Sequence, residues 1–167
     1  MGLAECAAEH PLIFPVHPRT RHRLVEFGLD GYLTAYAQTS RARSAPPIGF
    51  VLTEPLGYLD FLCLMKNASL VVTDSGGIQE ETTCLGVPCV TVRDSTERPV
   101  TVDLGTNVIA GTNTERIHSA VRSRFGRTQT GQMPELWDGQ AAGRILERLI
   151  STVEEKSPTG MLCTAQV

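Results

Sequence analysis

Residues 70–88, Leu-Val-Val-Thr-Asp-Ser-Gly-Gly-Ile-Gln-Glu-Glu-Thr-Thr-Cys-Leu-Gly-Val-Pro, decide the fold. The β-branched run at 70–73 predicts a short buried strand. A Gly-Gly turn follows, then a helix from about Ile78 to Leu85, with Gly86 as its C-terminal stop and Pro88 just beyond. The same alternation extends upstream. Residues 12–16 (LIFPV) form an apolar run that Pro15 ends, 21–38 read as helix broken near Gly28 and Gly31, and 39–47 are a polar, proline-ended connector. A strand at 48–52 follows, then a helix at 58–67 with Leu59, Leu62 and Met65 on one face. Downstream, 89–92 and 107–110 predict strands. Thr114 is placed to cap a helix reaching Phe125, 138–154 a last helix, and 157–167 a loose tail. Short strands separated by helices imply an α/β domain with a parallel sheet and helices on both faces.

Length and composition agree with a single domain. The chain has 167 residues, 41% hydrophobic and 20% charged, and a net charge of -3 excludes a generally basic nucleic-acid binder. No run approaches the ~20 apolar residues of a membrane span, and the N-terminus lacks the basic start and apolar core of a secretory signal. A cytoplasmic protein with neither nucleic-acid nor membrane partners is the expectation. The five cysteines, Cys6, Cys63, Cys84, Cys89 and Cys163, form no CxxC pair. Cys63, Cys84 and Cys89 lie in apolar sequence and are expected as reduced core thiols, with no metal site. Of the basic residues only Lys66 and Lys156 are lysine, which favours planar anions such as phosphate or reflects codon bias.

In a parallel sheet, ligands bind where strand ends lead into helices. At 74–81 (DSGGIQEE), Ser75 is a good N-cap, and Gly76 and Gly77 remove side chains where a ligand would touch backbone. The first N–H groups of the helix then point outward with the positive end of its dipole behind them, a cradle for phosphate. The segment matches neither GxGxxG nor the P-loop, so an ordinary dinucleotide or ATP site is not indicated. Glu81, one turn beyond Gly77, is placed to accept hydrogen bonds from both hydroxyls of a ribose. The alternative is a plain tight turn whose Glu80 and Glu81 complement the dipole. A second loop, 93–99 (RDSTERP), gathers two arginines and two carboxylates. Arg98 there either neutralises a diphosphate or holds Glu97, unless the loop is only a set of internal ion pairs. His17, between prolines at the end of the first strand, either faces a cleft or is structural.

Together these segments resemble the non-hydrolysing UDP-N-acetylglucosamine 2-epimerase family. The resemblance runs through PVHPRT (15–20), EPLGYLDF (54–61), LMKNASLVVTDSGGIQEE (64–81), LGVPCVTVRDSTERP (85–99), GTN-ERI (111–117) and WDGQA (137–141). It implies one Rossmann-like domain, residues 1–156, equivalent to the C-terminal half of a two-domain GT-B fold, with the N-terminal catalytic half absent. By motif, the diphosphate rests on Ser75, Gly76 and Gly77, Glu81 binds the ribose, Phe61 contacts the uracil, Leu56 offers backbone groups to the base, and Arg98 is a further substrate-site residue. Periodicity alone would make Phe61 core. His17 matches a histidine that contacts a second, regulatory substrate molecule in bacterial relatives.

The resemblance further implies an isomerase of nucleotide sugars serving cell-surface polysaccharide synthesis. It interconverts UDP-N-acetylglucosamine and UDP-N-acetylmannosamine by eliminating UDP to a glycal and re-adding it with inversion at C2. No cofactor is implied, and a homodimer is. The family's catalytic carboxylates lie outside the present motifs, so no residue here is assigned a catalytic role. Two other readings stay open: a non-catalytic UDP-sugar binding module, and a hydrolysing epimerase releasing N-acetylmannosamine and UDP.

Overall fold

A computed structural model of the protein describes residues 2–29, 49–126 and 131–156. Its contacts divide the chain into two units, residues 1–132 and 133–167. The first runs α1 (Gly2–Glu9), β1 (Pro11–Pro15), α2 (Pro18–Glu26), β2 (Gly49–Thr53), α3 (Tyr58–Lys66), β3 (Val71–Thr73), α4 (Gly76–Leu85), β4 (Cys89–Thr91), α5 (Val100–Asp103), β5 (Asn107–Ile109) and α6 (Thr114–Arg124). The second holds α7 (Ala141–Lys156).

All described strand pairs are parallel, as the alternation with helices predicts, but they form two hydrogen-bonded groups. β1 lies beside β2, with Pro11 opposite Gly49 and Pro15 opposite Thr53. In the other group β4 is central, between β3 and β5. Successive side chains of a strand point to opposite faces, and here the faces differ in chemistry. On one, Val90, Ala110 and Val121 are buried and joined by Val72, Val108, Ile117 and Ala120, together with Leu3 and Cys6 of α1. Burying Val90 completely is worth about 1.5–3 kcal/mol. On the other face Thr91 and Asn107 are equally buried but polar, beneath α4 and α5.

The helix ends follow local chemistry. Gly86 closes α4 in the left-handed region at φ 69°, its N–H bonding back to Thr82 and Thr83 carbonyls. The cap of α6 is Asn113, not Thr114: the Asn113 side chain accepts from Arg116 N–H at 3.0 Å, satisfying a first-turn donor. α4 begins two residues earlier than expected, at Gly76, so both glycines lie inside its first turn. On α3 the buried residue is Met65, with Phe61 and Leu62 half-buried, while Leu59 is 76% exposed and does not join the core face.

The cysteine expectation needs correction. Cys89 is buried, yet Cys63 and Cys84 are exposed, because the apolar run around each is helical and places them on its outer side. Burial raises the Cys89 thiol pKa, outweighing hydrogen bonds with Thr82 and Thr91 that act to lower it. Cys163, the connector at 39–47 and the tail at 157–167 lie outside the described residues.

In the second unit, α7 starts at Ala141 rather than 138. Asp138 accepts from Gln140 N–H at 2.9 Å and pairs with Arg144 at 2.8 Å, so it precedes the helix as an anchor. Arg144 also donates to the Leu136 carbonyl at 2.7 Å, bracing a leucine at φ 68°. Among the described residues no helix is long and apolar enough to cross a membrane.

Candidate functional site

The strand β3 delivers the chain to Ser75, whose N–H donates to Thr73 Oγ1 at 3.0 Å. Ser75 has N-cap backbone geometry, φ -88° and ψ 128°, but its hydroxyl caps no helical N–H. The hydroxyl and the N–H groups of Gly76, Gly77 and Ile78 therefore have no hydrogen-bond partner among the described residues. Unsatisfied donors at a helix start, backed by the dipole, suit an anion. With Glu97 in place, the surroundings leave room only for bare backbone here. A Cβ at Gly76 would come within 2.7 Å of Glu97 Oε1 and 3.9 Å of Arg98 Cγ. The structure thus brings the loop after β4 directly over the first turn of α4.

That loop divides its charges in a way the sequence did not reveal. Arg93, not Arg98, holds the Glu97 side chain, at 3.0 Å. The Glu97 carboxyl sits below the usual range, first through its own backbone N–H and then through Arg93. Arg98 reaches back to α4, its Nε 2.8 Å from Glu80 Oε1 as an ion pair, shielded from water but not aligned as a hydrogen bond. Neither Arg98 Nη atom is bound by a carboxylate, and Nη1 makes a long 3.4 Å contact with the Glu97 carbonyl. The terminal edge of the guanidinium remains available to an oxyanion beside the cradle.

Glu81 is half-buried on α4, with no hydrogen-bond or ion-pair partner among the described residues. Both of its carboxylate oxygens can accept from hydroxyls. The charges of Glu80 and Glu81, after partial burial, push the nearby Cys84 thiol pKa up, which leaves it a protonated, weakly reactive thiol. Phe61 is half-buried on α3, which packs against α4, and Leu56 is 38% exposed in the loop between β2 and α3.

His17 belongs to a different neighbourhood. It caps α2, accepting from Arg19 N–H at 3.2 Å, with Pro18 opening the helix behind it. An open cavity of about 640 Å³ lies nearby, lined by Pro18, Arg21, His22, Val25, Glu26 and Glu54. None of these residues belongs to the cradle or to the arginine loop. Among the described residues no His, Cys, Asp and Glu cluster is arranged to hold a metal.

Sequence reasoning missed the polar residues beneath the site. Gln79, Thr91, Thr101 and Asn107 are buried and joined by hydrogen bonds that meet at Asn107. The available signal was the alternation in 89–92, where Thr91 takes the face opposite Val90.

Comparison with known proteins identifies relatives of the whole described domain. A family model described as UDP-N-acetylglucosamine 2-epimerase matches residues 2–150. The chain is 41% identical over 138 residues to a UDP-N-acetylglucosamine 2-epimerase of Methanocaldococcus jannaschii, covering 83% of this chain and 34% of that protein. It is 41% identical over 150 residues to the enzyme of the same name from Methanococcus maripaludis, covering 90% and 37%. It superposes with TM-score 0.72 and 38% identity on the Methanocaldococcus jannaschii UDP-GlcNAc 2-epimerase solved with UDP-GlcNAc and UDP, covering 90% of this chain and 39% of that one. The chain thus spans about a third of the length of the curated relatives it matches.

Proposed function

This chain belongs to the UDP-N-acetylglucosamine 2-epimerase family, and from that premise we propose that it supplies the UDP-binding half of a 2-epimerase interconverting UDP-N-acetylglucosamine and UDP-N-acetylmannosamine. The observation that carries the proposal is the first turn of α4, whose N–H groups, unpaired among the described residues, lie beside Arg98 on Glu80, with the exposed Glu97 carboxylate nearest Gly76. Ser75, Gly76 and Gly77 hold the diphosphate, Arg98 neutralises it, and Glu81 takes the ribose hydroxyls. Phe61 and the backbone at Leu56 meet the uracil. In the elimination step the bond from the anomeric carbon to UDP breaks, and negative charge grows on the diphosphate. N–H groups and a guanidinium already aimed at that charge lower the barrier without reorganising.

The residues that move protons at the sugar lie outside these motifs, in a further domain across the cleft. An exposed cradle on one wall suits that arrangement. We assign residues 1–156 to this nucleotide domain and His17 to a second, regulatory site. We place the enzyme in the cytoplasm, in keeping with the free thiols of Cys63, Cys84 and Cys89. The homologues carrying the epimerase name favour this reading over a hydrolysing enzyme or a binding module.

Calorimetry with the 167-residue chain tests the nucleotide site. UDP should bind, and uridine should bind more weakly because it lacks the diphosphate. Folded protein that releases no heat with UDP at millimolar concentration would sink the proposal.

A further inference from the structure

The side chain of Arg98 is held by Glu80, but its main chain is held by a separate set of contacts. Arg98 N–H donates to Thr96 Oγ1 at 3.0 Å, and the Arg98 carbonyl accepts from Thr101 Oγ1 at 2.7 Å. Thr96 in turn donates to Gln79 Oε1 at 2.6 Å. Asn107 Nδ2 donates to the same Gln79 oxygen at 3.2 Å and to Thr101 Oγ1 at 3.1 Å. Asn107 Oδ1 accepts from Thr91 Oγ1 at 2.7 Å, which anchors the set to β4.

Gln79 is fully buried, and its Nε2 has no partner among the described residues. Packing alone does not call for an amide there, since a methionine would fill similar space without stranding a buried donor. What the amide does is gather Thr96 and Asn107 on one oxygen. Gln79 and Glu80 are neighbours on α4, the helix whose first turn is the cradle. One fixes the backbone of the arginine loop, and the other fixes the guanidinium.

We propose that Gln79, acting through Thr96, is a positioning residue that ties Arg98 to the cradle helix, so that both meet the diphosphate as one rigid unit. The ligand in this statement rests on the nucleotide reading above; the tie itself does not. Hydrogen-bonded networks of this kind couple their members, so deleting one link is felt at the next.

Two measurements on the 167-residue chain test it. By calorimetry, Thr96→Val should weaken UDP binding about tenfold, the effect of a lost hydrogen bond to a charged group's support. Thr96→Ser should restore it, and Thr96→Val should add nothing once Arg98→Ala is present. Without ligand, nitrogen-15 magnetic resonance should show the Arg98 Nε–H exchanging with water faster in Thr96→Val and Gln79→Met than in the wild type and Thr96→Ser. Equal exchange rates in all four proteins would overturn the positioning role, whatever UDP does. A loss of affinity of the same size with and without Arg98 would also overturn it. Faster exchange in a wild-type background that binds no UDP would uphold the tie and refute the nucleotide reading instead.

Discussion

The strand ends of residues 2–126 differ in how their polar groups are satisfied. Beyond β3 and β4, Gln79, Thr96 and Thr101 join Asn107 of β5 in hydrogen bonds largely away from water. Beyond β1 and β2, the side-chain hydrogen bonds of the described residues lie at the surface. His17 caps its own helix, and Arg21 reaches Glu54 at 2.7 Å with their side chains 45% and 76% exposed. Buried polar groups are held firmly because breaking a contact leaves a donor or acceptor without water. Exposed pairs are worth little because water replaces either partner. A site that must present several donors to a diphosphate at once is therefore built on the first kind of support. A surface that adapts to its surroundings can be built on the second.

The largest effect should come from breaking the buried set. Asn107→Leu keeps the volume but strands Thr91, and it should destabilise the chain by about 2–4 kcal/mol in thermal or urea unfolding. A loss below that of Arg21→Ala, expected at about 0–1 kcal/mol, would erase the contrast. Gly76→Val comes next and acts on binding. Glu97 is an exposed carboxylate able to swing aside, so the fold should persist, while UDP affinity in calorimetry should fall by at least about tenfold as a side chain enters the cradle. Glu81→Ala should weaken UDP by a smaller factor, roughly three- to tenfold, and leave the affinity for inorganic diphosphate unchanged. Equal losses for both ligands would remove Glu81 from the ribose.

On the exposed side, His17→Ala should cost about 0.5–1 kcal/mol as a lost cap and leave UDP affinity unaltered. A tenfold change in affinity would join the two regions into one site. The smallest effect belongs to Asp138, whose pKa is lowered to about 2, first by Arg144 and then by Gln140 N–H. A lowered folded-state pKa means stabilisation that is complete above the ordinary value of 3.8 and lost as pH falls toward about 2. Asp138→Asn should therefore reduce helical circular dichroism at neutral pH, and the difference from wild type should vanish near the bottom of that window. A difference independent of pH would show that Arg144 does not read the charge.

The cradle was legible in sequence because its parts are local. A β-branched run, two glycines and a helical segment within sixteen residues leave few alternatives, and Glu81 follows from helix geometry. The pairing of Arg98 was not legible, because Glu97 is its neighbour in sequence and Glu80 is its neighbour only after folding. The polar face under α4 escaped for a related reason. Threonine, glutamine and asparagine look like surface residues until their mutual bonds are known. The N-terminal helix α1 is hard to read because its apolar stripe, Leu3, Cys6 and Ala7, spans little more than one turn; packing of Leu3 and Cys6 against the core orders it. The separation of β1 and β2 from the other strands was not legible either, since the apolar run at 12–16 reads as a buried strand whereas Ile13 is 44% and Phe14 36% exposed.

The buried set also has a place in time. Its bonds join residues 17 and 28 positions apart in the chain, Gln79 to Thr96 and Gln79 to Asn107. They cannot form until β3, β4 and β5 have found their register, because each needs both partners delivered by separate strands. The arginine loop is thus expected to lock only after these strands have paired. Weakening its ties should leave the folding rate nearly unchanged and accelerate unfolding, so that the poised arginine reflects how slowly the finished domain opens.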